Sequence, residues 1–131
     1  MAFISFALTK EEFLSGQKTV TRRKWKASHY AMWQRFWDEG KFVHDAWDKV
    51  PFAGGKKIGQ FELTCRPYHE YLFDMPKDDL IHEGGMVDTL EEFYDLIGAH
   101  PNEQVVVIRF KKVESTPSNI ACIGLAKSVA S

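Results

Sequence analysis

The chain has 131 residues, 44% hydrophobic and 27% charged, with a formal net charge of −1 at pH 7. That size suits one domain whose core needs no disulfide or metal staple, and the composition is that of an ordinary soluble protein. No apolar run is long enough to cross a membrane, and the near-neutral charge excludes bulk electrostatic binding to duplex DNA. The opening Met1-Ala2-Phe3-Ile4-Ser5-Phe6 lacks the basic start of a secretory signal. Cys65 and Cys122 are too few and too far apart for a disulfide framework, which predicts a reducing, cytoplasmic setting.

Residues 3–8 are apolar, aromatic and β-branched, and read as a first strand. Thr9-Lys10-Glu11-Glu12 has the pattern of a capping box, with Leu8 and Phe13 at staple positions. Gly16 supplies a left-handed stop, so the helix is barely two turns long. Residues 19–25 then read as a strand, with Thr19, Thr21 and Arg23 on one face and Val20 and Arg22 on the other. Residues 29–39 read as a helix whose Tyr30, Trp33, Phe36 and Trp37 form a core-facing aromatic stripe. A possible strand over 42–47 and a turn-rich loop over 51–55 follow. In the strand over 58–66, Phe61, Leu63 and Cys65 alternate with Glu62, Thr64 and Arg66, which predicts Cys65 to be a core thiol. Residues 67–76 read as irregular, and 78–83 as a short helix or turn ending at Gly84-Gly85. Thr89-Leu90-Glu91-Glu92 is a second capping box before a helix with Leu90, Phe93, Tyr94 and Ile97 on one face, stopped by Gly98. The last strand covers 104–113, and Val105 to Ile108 are apolar on both sides, as in a central strand. From Glu114 the chain turns small and Ser/Ala-rich, a loose tail with a possible docking segment at 120–125. About five strands and three small helices predict a compact α+β barrel over residues 1–113, with a tail over 114–131.

The most local feature is Gly16-Gln17-Lys18-Thr19-Val20-Thr21-Arg22-Arg23-Lys24-Trp25. Lys18, Arg22, Arg23, Lys24 and Lys26 place five cations within nine positions. Such a run is either a solvated edge strand or a pocket for an anionic or nucleotide-like ligand. A threonine hydroxyl becomes a nucleophile only when a base takes its proton. A lysine serves as that base only if burial or neighbouring cations lower its pKa. Lys18 and Thr21 are candidates on those terms. Glu83, just before Gly84-Gly85, sits on a turn a ligand can approach closely, and is either a proton-handling acid or a plain helix end. The five histidines show no metal-ligand spacing, and Gly54-Gly55-Lys56-Lys57 lacks the glycine spacing of a phosphate-binding loop. No metal or cofactor is expected.

These residues carry a resemblance to the ASCH family of the PUA-like superfamily. The family has a strand, a short helix and a Gly-x-Lys-Thr-x-Thr-x-Arg motif, here Gly16 to Arg23, followed by a Glu-Gly turn, here Glu83-Gly84, before a helix. It closes on a hydrophobic strand, here residues 105–110, so the resemblance spans about residues 5–113. It implies a small PUA-like β-barrel with flanking helices and a cleft at the motif. Bacterial members similar in the Lys, Thr and Glu positions hydrolyse the acetyl amide of N4-acetylcytidine. By that similarity Lys18 is the general base, Thr21 the nucleophile and Glu83 a proton-handling or substrate-anchoring carboxylate. Arg22, Arg23, Lys24 and Trp25 would then contact a modified nucleoside or single-stranded RNA. Other members resemble non-catalytic RNA-binding modules, and ribonuclease activity is attributed to some. This chain departs from the compact members in its longer, Trp-rich segment 27–57 and in the tail after Val113. The added aromatic helix either lids the cleft or supplies stacking surface for a base.

Overall fold

The computed structural model describes residues 2–114, so the expected tail beyond Glu114, its segment 120–125 and Cys122 lie outside the described residues. The described residues form six strands: β1 (Phe3–Ser5), β2 (Val20–Arg23), β3 (Val43–Trp47), β4 (Lys57–Leu63), β5 (Tyr68–Tyr71) and β6 (Gln104–Lys112). Four helices join them: α1 (Lys10–Ser15), α2 (Ala27–Asp38), α3 (Asp79–His82) and α4 (Leu90–Ile97). The architecture is mixed α+β, a curled sheet that wraps into a half-barrel.

β6 is the hub. Its Val105, Val106, Val107 and Ile108 are all buried, the central-strand signature the sequence predicts. β2 runs antiparallel along one edge, with Val20 opposite Arg109. The other edge takes β4 and β5 end to end, Leu63 opposite Phe110 and Tyr68 opposite Val107. β3 pairs antiparallel with β4, and β1 parallel with β3. The order is therefore β1-β3-β4-β6-β2, with β1 and β2 as the two ends.

The main core fills the concave side of this sheet. Phe6 stacks on Phe13 at 4.9 Å, and Phe61 and Phe110 meet at 5.2 Å. α2 closes it with Trp33, fully buried, while Tyr30, Phe36 and Trp37 flank it partly buried. A smaller cluster of Leu72, Met75, Leu80, Phe93 and Val105 seats α3 and α4.

Three expectations need correction. Residues 67–76 were expected to be irregular, but they contain β5. Tyr-His-Glu-Tyr has no apolar alternation; its strand is imposed by β6, and its Tyr68 and Glu70 side chains reach arginines there and on β2. The first capping box is not built: Thr9 makes no side-chain cap bond, and Leu8 is 71% exposed rather than stapled to Phe13. Cys65 lies past the end of β4 and is half-buried, not a core thiol. The second box is complete, with Thr89 Oγ1 accepting from the Glu92 amide at 3.1 Å and Glu92 Oε1 accepting from the Thr89 amide at 3.1 Å. Thr89→Ala is expected to cost about 1 kcal/mol, read as a lower denaturation midpoint in urea; an unchanged midpoint would mean that α4 is held by packing alone.

Among the described residues no helix is long and apolar enough to cross a membrane.

Candidate active site

α1 ends where Gly16 takes φ 85°, and the chain turns back so that the Lys18 amide donates to Glu12 O at 3.1 Å. Two backbone bonds then place the next residues. The Thr19 amide donates to His82 O at 2.9 Å, and Thr19 O accepts from the Phe110 amide at 2.9 Å. The Lys-Thr segment is thereby tied to the end of α3, although more than sixty residues separate them in sequence. The Glu83-Gly84 turn settles on α1. Gly84 has φ +129°, and a Cβ there would lie 2.7 Å from Thr9 Cγ2. The Thr9 side chain is buried against this turn and makes no cap bond to its helix. Gly84→Ala is expected to destabilise by about 1–3 kcal/mol from backbone strain and the clash together. Thr9→Ser removes the clashing methyl, so the double variant should recover part of that loss in a double-mutant cycle. Simple additivity would show that the clash is not felt.

These ties bring Lys18, Thr21 and Glu83, all buried, to the lining of one cleft of ≈ 340 Å³. Arg23 completes its polar floor, with the fully buried Arg22 side chain beneath it. Phe6, Phe93 and Ile97 form apolar walls, with Leu8, Met86 and Leu96 exposed near the mouth. Lys18 Nζ donates to Glu83 O and to Glu83 Oε1, the latter at 3.3 Å. Arg23 Nε donates to Thr21 Oγ1 at 3.0 Å. Among the described residues no hydrogen bond joins Lys18 to Thr21.

Behind the floor runs a buried ionic network. Arg22, with its side chain fully buried, donates from Nε to Glu70 at 2.8 Å, from Nη1 to Glu83 at 2.9 Å and from Nη2 to Asp79 at 2.7 Å. Arg109 Nη2 also donates to Asp79, at 2.6 Å, and its Nε donates to the Tyr68 hydroxyl at 2.9 Å. Lys18, Arg22 and Arg109 thus face Glu70, Asp79 and Glu83, three cations against three carboxylates. Burial pushes the Lys18 ammonium below its ordinary pKa; the Glu83 charge works against this, and Arg23 and Arg22 add to it. Burial also opposes charge on Arg22, but its carboxylates outweigh it and hold the guanidinium above its ordinary value.

The five cations of residues 18–26 therefore do different work. Arg22 has a carboxylate on each nitrogen and is not free to meet a ligand, contrary to the expectation for it. Lys24 is exposed and reaches Gly98 O at 2.8 Å and Glu103 at 3.7 Å. Trp25 does not line the cleft; it faces a neighbouring cavity on α2. Arg23 lines the cleft, and no carboxylate forms an ion pair with it among the described residues. Sequence reasoning missed Glu70, Asp79 and Arg109. For Asp79 a signal existed, since residues 79 and 83 stand one helical turn apart and so share a face. Among the described residues no group of three or more His, Cys, Asp or Glu side chains could hold a metal ion.

Comparison with protein-family models, with curated proteins and with solved structures finds no match.

Proposed function

We propose that this is an ASCH-type, PUA-like protein whose cleft binds a modified nucleoside and hydrolyses the acyl amide of an N4-acylated cytidine. The observation that supports this most is the meeting of Lys18, Thr21 and Glu83, from three separated segments, in one cleft with an arginine on the threonine oxygen. In this mechanism the Lys18–Glu83 pair passes the ammonium proton to the carboxylate, which leaves a neutral amine. That amine takes the Thr21 proton as Oγ1 attacks the acyl carbon. The Arg23 guanidinium stabilises negative charge on the reacting oxygens. Collapse breaks the C–N4 bond, Lys18 returns the proton to N4, and cytidine leaves. Water, with Lys18 again as base, then cleaves the Thr21 ester and releases the carboxylic acid. Lys18 must first swing from Glu83 towards Thr21, because no hydrogen bond joins those two side chains among the described residues.

The missing Lys18–Thr21 hydrogen bond is also what favours a second reading, a non-catalytic RNA-binding module. Incubation of the purified protein with N4-acetylcytidine, followed by chromatography for cytidine and acetate, separates them. Release of both in equal amounts is expected. No turnover of any N4-acylated cytidine would leave the binding module.

A further inference from the structure

The curled sheet leaves a gap between β1 and β2, and two cavities meet there. Among the described residues no backbone ladder joins these strands. One side-chain bond crosses the gap, from Arg23 Nη2 to Ser5 O at 2.7 Å. On one side lies the cleft; on the other lies a second cavity of ≈ 510 Å³, and Ser5 and Arg23 line both. Its volume falls within the roughly 300–1,000 Å³ of small-molecule sites. Its walls are planar and apolar. Trp25 stacks on Trp33 with ring centroids 5.5 Å apart and planes 22° apart, and His29 lies 4.2 Å from Trp25. Met32 and Phe36 complete them.

One polar group says what such a ligand must carry. Arg23 spends Nε on Thr21 and Nη2 on Ser5. Its Nη1 has no hydrogen-bond partner among the described residues, and unlike Arg22 and Arg109 it makes no ion pair there, Glu83 acting on it only from a longer distance. A half-buried guanidinium in that state favours an anion. A bare acyl chain would leave the guanidinium unmet, whereas a planar base with a phosphate beside it suits both the aromatic lining and Arg23.

We propose that the second cavity is a subsite for the base next to the one in the cleft, with Arg23 holding the phosphate that links the two nucleotides. The ligand is then a dinucleotide step of a single strand rather than a free nucleoside. This rests on the nucleoside reading of the cleft.

The test is a calorimetric titration of the full chain with cytidine, cytidine monophosphate and the dinucleoside monophosphates CpA and ApC. One dinucleotide polarity should bind roughly 5- to 150-fold more tightly than cytidine, the span of one stacked base, and the mononucleotide should gain less. Met32→Trp fills the cavity and should erase the dinucleotide advantage while leaving cytidine affinity unchanged. Trp25→Ala removes one stacking wall and should reduce the same advantage, which keeps the test decisive if Met32→Trp does not fold. Dinucleotides of both polarities that bind no more tightly than cytidine overturn the subsite while the cleft reading stands. A full dinucleotide advantage in either variant also overturns it. Failure of cytidine and both dinucleotides to bind overturns the subsite and the cleft reading together.

Discussion

Lys18→Arg is expected to abolish turnover of N4-acetylcytidine while leaving nucleoside affinity within about tenfold. The guanidinium keeps the positive charge facing Glu83 but cannot surrender its proton, so the base is lost and the electrostatics largely are not. Thr21→Ala should be equally inactive because it removes the nucleophilic oxygen. Its binding should survive, since one hydroxyl hydrogen bond contributes about 0.5–1.5 kcal/mol, tenfold in affinity at most. A positioned base alone typically contributes about 10²–10⁴ in rate. The two losses should not add: Lys18→Ala combined with Thr21→Ala should be little worse than either alone, as for residues that act as one unit. Steady-state kinetics and ligand affinity on the same preparations decide the matter. Retained turnover in Lys18→Arg would remove lysine from the role of base. Additive losses would mean that the two side chains do not act in one step.

What could be read from the sequence was what local chemistry decides. Thr89 and Glu92 satisfy each other within one turn, so α4 forms as its pattern predicts. The apolar run of β6 is buried on both faces because Val106, Ile108 and Phe110 pack in the main core and Val105 packs in the smaller cluster. Thr9 has the same local pattern as Thr89, yet it makes no cap bond, and its side chain is buried where the turn at Gly84, seventy-five residues on, packs against it. β5 is likewise decided at a distance, since Glu70 and Tyr68 answer Arg22 and Arg109 rather than any local preference. The site followed the same division. The Lys-Thr motif and the Glu-Gly turn were visible as separate stretches, but the bond from Thr19 to His82 that unites them is a backbone contact no side-chain pattern encodes. The run of charge looked uniform in sequence. Only the fold separates Arg22, paired with three carboxylates, from Arg23, which makes no ion pair among the described residues.

Arg22→Met should be the most destabilising of the changes considered, by about 3–5 kcal/mol, because it leaves buried carboxylates without their partner. In a chain of this size that lowers the melting temperature by roughly 10–20 °C. Asp79 keeps Arg109 and Glu83 keeps Lys18, but among the described residues Glu70 has no other ion pair. Breaking the exposed Arg66–Asp38 pair with Arg66→Ala, by contrast, should cost less than about 1 kcal/mol, since solvent already screens both groups. The pH dependence adds a sign. In the native protein burial pushes the Asp79 carboxyl up, but Arg109 and Arg22 outweigh it and hold its pKa below the ordinary value. A depressed folded pKa contributes stability above the ordinary carboxylate range, and that stability is lost as pH falls through the folded value. Without Arg22, Asp79 loses one of the two cations that hold its carboxyl down, so acid should weaken the variant less than the parent. The stability gap between the two proteins should therefore narrow between pH 7 and pH 4, measured by urea unfolding at each pH. A gap that is small at pH 7, or that widens in acid, would mean the network is not what fixes Glu83 beneath the cleft.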